Sequence, residues 1–306
     1  MEMRPLRHAY MIITHGSFPI LEKQLRFLDS ENADFYIHVD AKVQDFDFEH
    51  YRNIPRKSRV VFVPRRSVSW GHFSLVECEL ELMRAAAQEG YDYYHLLSGV
   101  DVPVKTRAYI EHYFDDADGM NYLNFEAPVI SRHQRNRVRY YYPFLEWNIR
   151  RPLVRSAVRA ANVLAQKLVF IDRTRKLEPG FVFQKGTQWF SVTDGLVRYV
   201  LSREDVIRRL FRSTYCPDEL FMQTMAINSP FRDKLPLNAF NNRHLNCCRY
   251  IDWKRGSPYT FTDSDYEELI HTGDGYLFAR KFDYRSSPGV VDRLFEYFSE
   301  AEPPER

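Results

Sequence analysis

Two adjacent acids, Asp218 and Glu219, stand in the stretch STYCPDELFMQTM (213–225), behind a proline and at the start of a run with helical spacing. A carboxylate so placed can take a proton from a hydroxyl group. It can equally be the polar opening of a helix, because Pro is favoured at the first helical position and acids in the first turn. Asp218, on the cap side, is suited to bond the free helix N–H groups, which would leave Glu219 available. Spacing alone tips the choice to Glu219 only slightly. The other polar residues of interest end apolar runs: His15 after HAYMIIT, Asp40 after DFYIHV, and Ser98, Gly99 and Asp101 after YDYYHLL.

These residues need a scaffold, and the first ~120 residues supply a regular one. HAYMIIT (8–14), DFYIHVD (34–40), SRVVFVP (58–64) and YDYYHLLSG (91–99) read as strands. PILEKQLRFLD and FSLVECELELMRAAAQ read as helices between them, the latter with Val76, Leu80, Met83 and Ala87 on one stripe. That alternation predicts an α/β fold, a mostly parallel sheet with helices on both faces. Open parallel sheets bind ligands at the carboxyl ends of their strands, where the polar residues lie. Asp40 there could accept hydrogen bonds from a uracil N–H or a ribose hydroxyl, or it could cap its own loop. The second half is less regular. NYLNFE (121–126) and QWFSVT (188–193) read as strands, DGLVRYVLSREDVIRRLF as one helical stretch and 241–257 as loop. SDYEELI reads as a helix with a Ser264/Glu267 capping box. We expect one domain over 1–306, with a nucleotide-binding half to about 120 and an acceptor-binding and catalytic half beyond.

Composition excludes several classes. The chain has 306 residues, 44% hydrophobic and 27% charged, which is globular rather than disordered. A formal net charge of +2 argues against a polyanionic partner as the organising theme, although basic residues clearly outnumber acids between Arg132 and Lys176. Cys78, Cys216, Cys247 and Cys248 form neither a dense disulfide framework nor a C-x-x-C zinc pattern, so free thiols in a reducing, cytoplasmic compartment are expected. No segment has the ~20 apolar residues of a membrane span. There is no G-x-G-x-x-G after the first strand and no P-loop. Asp-x-Asp occurs at 45–47, 116–118 and 263–265, each in a turn or helix start. After YYHLL the chain reads SGVD instead. No metal is therefore expected, and positive side chains would have to meet any diphosphate.

Taken in order, HAYMIITHGSF, FYIHVDAK, VSWGHFSLVECEL, YHLLSGVDVPVKT, GTQWFSVT, CPDELFMQTM and LFARKFD resemble the core-2/I-branching β-1,6-N-acetylglucosaminyltransferases and the related peptide xylosyltransferases, glycosyltransferase family 14. The likeness runs from about residue 8 to 283. It implies a GT-A fold, a UDP-sugar donor, inversion at the anomeric carbon and no divalent metal or other cofactor. By position it makes Glu219 the catalytic base and Lys281 a ligand of the donor diphosphate, with a second arginine at Arg255 or Arg249. His15 and Asp40 match uridine-side positions, and Ser98, Gly99 and Asp101 the neighbouring strand end. Glu126, Arg132, Arg135 and Trp189 fall in segments that would meet the acceptor. Animal members carry an anchor, a stem and disulfides, so this chain resembles the bacterial branch. The expected activity is transfer of GlcNAc from UDP-GlcNAc to a glycan in surface polysaccharide synthesis. A xylosyl or other UDP-sugar transferase, or a non-catalytic sugar-nucleotide-binding protein, is the alternative.

Two basic stretches have competing readings. SRHQRNRVRYYYP (131–143) mixes Arg and Tyr, but without a nucleic-acid-binding motif an acceptor-side loop or a solvated face is expected, and no nucleic acid partner. RRPLVRSAVRAANVLAQKLVF (150–170) is a basic amphipathic helix with Leu153, Ala157, Ala160 and Leu164 on one side. Packing on its own domain is the default, with peripheral contact to the inner face of a membrane as the alternative, which would suit a lipid-linked acceptor.

Overall fold

The computed structural model describes residues 4–143, 151–177, 180–237 and 244–303. Its strands are β1 (His8–Thr14), β2 (Ala33–Val39), β3 (Val60–Phe62), β4 (Tyr93–Ser98), β5 (Val102–Pro103), β6 (Tyr122–Leu123), β7 (Phe190–Thr193), β8 (Arg249–Ile251) and β9 (Phe278–Arg280). Every residue of β1, β2 and β4 is buried, as their near-continuous apolar runs require of strands covered on both faces. They form a six-stranded sheet in the order β3-β2-β1-β4-β7-β6. The first four are mutually parallel, with Ile12 level with Ile37 and Leu97, while β7 runs antiparallel to β4 and β6 to β7.

Alternation within the strands decides which helix covers which face. Met11, Ile13 and Leu96 join Val76, Leu80 and Met83 of the helix Phe73–Ala86 in one core. Tyr10, Ile12, Phe35, Ile37 and Leu97 join Leu21 and Leu25 of the helix Phe18–Phe27 in another. Strand order reverses between β1 and β4, so the loops after them part and open a crevice at the carboxyl edge. A smaller sheet, β5-β9-β8, packs Val102 and Ala279 against Val290, Val291 and Leu294 of the helix Pro288–Glu300.

The first half matches the expected elements closely, and the second departs in informative ways. The strand expected over 58–64 narrows to β3, and NYLNFE narrows to β6. Asn121, just before it, instead uses its side-chain oxygen to bind the N–H (2.9 Å) and hydroxyl (3.0 Å) of Thr193. The helical stretch 194–211 is two helices, Asp194–Ser202 and Glu204–Phe211, broken at Arg203. The expected Ser264/Glu267 capping box is formed two residues earlier by Thr262 and Asp265. The segment read as loop from 241 contains β8, whose partner β9 lies far along the chain; residues 241–243 fall outside the described residues. Local periodicity carries no record of such a partner.

Candidate active site

Glu219 lies in a short 3-10 turn rather than in the first turn of the α-helix that follows. Pro217–Glu219 form a 3-10 turn, Leu220 separates it from the helix Phe221–Ile227, and no side chain caps that helix. Two cations from distant stretches meet the Glu219 side chain instead. Arg137 Nη1 donates to Glu219 Oε2 at 3.0 Å, and Lys185 Nζ lies 3.5 Å from the same oxygen. Arg137 is itself fixed by donating to the carbonyls of Tyr215 (2.7 Å) and Cys216. Lys185 also binds Glu126 Oε2 at 2.6 Å, and Glu126 Oε1 accepts from Gln134. The Gly186 N–H donates to the Glu219 carbonyl at 3.0 Å. A Cβ on Gly186 would stand 1.8 Å from the Asn124 carbonyl oxygen, so only glycine lets these strands of chain approach.

Asp218 departs from its expected cap role. Its side chain is buried with Oδ1 unpartnered among the described residues. Burial, reinforced by the charge of Glu219, pushes its carboxyl up to about 7. The fully buried Glu79 of the helix Phe73–Ala86 also feels Asp218. Burial raises it well above the ordinary carboxylate range, while Gln188 donates to its Oε1 at 3.0 Å. Two neighbouring carboxyls thus divide by environment, Asp218 inward and favouring its neutral form, Glu219 half-exposed between cations.

At the sheet edge, His15 and Asp40 line one cavity of about 470 Å³ together with Lys42, Tyr284 and Arg285. That volume lies within the range of small-molecule sites. Asp40 also holds its own loop, accepting from the Lys42 N–H at 2.8 Å and the Val68 N–H at 3.3 Å. Asp101, fully buried, closes the turn after β4 by accepting from the Ser98 N–H and hydroxyl, both at 2.9 Å. In that turn a Cβ on Gly99 would meet Thr14 Oγ1 at 2.4 Å. Asp101 Oδ1 is also 3.6 Å from Nε of Arg280, whose guanidinium lies 3.7 Å from the centre of the Trp189 ring.

The structure separates the residues expected to bind the diphosphate. Arg249 is fully buried under the sheet, and its guanidinium donates to the carbonyls of Cys247 (2.8 Å), Leu96 (3.0 Å) and Phe190 (3.1 Å). Arg255 is taken by three carboxylates, Asp252, Asp265 and Glu268. Lys281, by contrast, pairs with no carboxylate among the described residues. Its neighbour Arg280 keeps Nη1 buried and unpartnered among them. Arg132 and Arg135 are exposed on the helix Arg132–Arg139, and Arg137 of the same helix is the one turned inward. Trp189 is buried beneath Arg280 rather than presented as an open platform.

Arg137, Lys185 and Arg280 were missed from sequence. Arg137 falls on the buried side of its helix beside Val138, a weak signal, and Arg280 stands next to Lys281 in LFARKFD. His244 relates the two cationic groups. Burial, then the charges of Lys185 and Arg280, lowers it to about 4, and Trp253 donates to its Nε2 at 3.1 Å. Among the described residues no three His, Cys, Asp or Glu side chains gather as a metal site.

A family model described as "Core-2/I-Branching enzyme" matches residues 8–271. The chain belongs to the core-2/I-branching family. The mixed sheet with flanking helices is the GT-A fold of this family, glycosyltransferase family 14. Curated relatives include xylosyltransferase 2 of Canis lupus familiaris, 26% identical over 98% of this chain and 34% of that protein, and xylosyltransferase 2 of Rattus norvegicus, 27% identical with the same coverages. Xylosyltransferase 1 of Homo sapiens is 25% identical over 97% of this chain and 31% of its own length. This family member therefore spans about a third of the length of the curated relatives it matches. No helix among its described residues is long and apolar enough to cross a membrane.

Proposed function

We propose that the chain is an inverting, metal-independent glycosyltransferase that moves a sugar from UDP to a glycan hydroxyl, with Glu219 as the base. The observation that carries this reading is the division between the two acids: Glu219 is half-exposed and held by Arg137 and Lys185 through one oxygen, while Asp218 is buried. Glu219 Oε1 is then the atom that takes the acceptor proton. The acceptor oxygen attacks the anomeric carbon as the bond to the β-phosphate oxygen breaks, and that electron pair leaves with UDP. Lys281 and the unpartnered Nη1 of Arg280 supply positive charge to the leaving diphosphate. The cavity holding His15 and Asp40 receives the uridine side. Arg255 leaves this assignment because all three of its nitrogens meet carboxylates, and Arg249 because it is fully buried with both terminal nitrogens on backbone carbonyls, although its Nε has no partner among the described residues.

The names of the relatives favour UDP-xylose over the UDP-GlcNAc expected from sequence. UDP release from a panel of both donors, with an acceptor library and with or without EDTA, tests the proposal. Turnover that survives EDTA is expected. Loss of turnover on chelation would overturn the charge assignment, and binding of UDP-sugars without turnover on any acceptor would favour a sugar-nucleotide-binding protein.

A further inference from the structure

The basic segment folds as the helix Pro152–Leu168, and it is oriented opposite to a helix of a soluble domain. At 100° per residue, Leu153, Ala157, Ala160, Leu164 and Leu168 fall within an arc of about 80°. All five are exposed, the three leucines at 85%, 60% and 71%. The side turned to the protein is polar. Asn162 Nδ2 and Gln166 Nε2 each donate to the Tyr141 carbonyl at 2.7 Å, and Gln166 Oε1 accepts from the Tyr141 N–H at 2.8 Å. Arg159 lies 3.9 Å from the centre of the Tyr215 ring. Packing on its own domain, the default expectation, therefore covers the wrong face. The stripe continues past the helix into Val169 and Phe170, 66% and 78% exposed.

Charge selects what covers it. From Arg132 to Lys176 the chain has twelve Lys and Arg against two acids, and none of the seventeen helix residues is acidic. Lys167, exposed, borders the stripe on the helix wheel, and the exposed Arg151 and Arg175 stand at the two ends of the segment. An apolar ridge bordered by cations matches the boundary between acyl chains and anionic headgroups. We propose that this helix docks the protein on an anionic lipid surface. Tyr215, under Arg159, gives its carbonyl to Arg137, which holds Glu219, so docking places the lipid surface beside the site. The docking itself does not depend on the transferase reading.

Co-sedimentation of the full chain with phosphatidylcholine vesicles carrying rising fractions of phosphatidylglycerol tests this. Binding is expected to rise with the anionic fraction and to weaken with added salt. In the double variant Leu164→Glu/Leu168→Glu, partitioning should fall roughly tenfold or more, with UDP binding and circular dichroism unchanged because both side chains are exposed. No binding at any composition, or equal binding to pure phosphatidylcholine, overturns the proposal. So does sedimentation velocity showing a dimer that the double variant dissolves, which would make the stripe an interface between copies.

Discussion

The two ends of the candidate site are built on different principles. At the sheet edge the shortest side-chain bonds of Asp40 and Asp101 are local, and their distant partners, Val68 and Arg280, stand farther off at 3.3 and 3.6 Å. Asp40 binds the N–H two residues on, and Asp101 binds Ser98 three residues back. At the Glu219 end the partners are distant. Arg137 is 82 residues from Glu219, and Lys185 bridges it to Glu126. Local fastening fixes a loop shape cheaply and tolerates change nearby. Long-range fastening makes the position of one carboxylate depend on three separate stretches of chain folding together.

The largest expected effect lies at the long-range end. Glu219→Gln should lower transfer by about 10²–10⁴-fold while UDP binding persists, and equal turnover in single-turnover assays would remove Glu219 as the base. Lys281→Ala should cost about 10²-fold in kcat by withdrawing charge from the leaving group. A fall in acceptor affinity alone would move Lys281 elsewhere. Lys185→Met frees both Glu126 and Glu219 from their shared cation, so kcat should drop roughly ten- to a hundredfold with donor KM unchanged. If it behaves like wild type, the long-range fastening does not matter for turnover.

The smaller effects concern stability. The Asp218 carboxyl is raised to about 7 in the folded chain, above its unfolded value near ~3.9. Its contribution is therefore present below about pH 4 and lost as pH rises through 7. The urea midpoint should decline across that window, and Asp218→Asn should flatten the decline, with Glu79 supplying what remains. An unchanged slope would mean that Asp218 titrates normally. Smallest of all on turnover, Arg255→Met should leave donor KM within about twofold, while the urea midpoint falls because buried Asp265 loses its cation. A large rise in donor KM would return Arg255 to the diphosphate.

Legibility followed the same division. β1, β2 and β4, their covering helices and the polar residues at their carboxyl ends were readable because each depends on neighbours in sequence. The pair Asp218/Glu219 stands out by its helix-opening pattern, yet the α-helix begins only at Phe221 and the cations beside Glu219 come from distant stretches. Arg249 and Arg255 stand out by type and approximate position, and only the fold shows Arg255 on three carboxylates and Arg249 buried with its terminal nitrogens on backbone carbonyls.

The sequence by itself determined a mostly parallel sheet, a crevice at its carboxyl edge, the family and a short list of acids and cations, because period, chain order and residue type survive without a fold. The tertiary structure alone decided which acid faces inward, which cations hold Glu219, and that the apolar side of the helix Pro152–Leu168 points away from the protein. Those outcomes rest on desolvation and on contacts between residues far apart in the chain, and neither is written in local spacing.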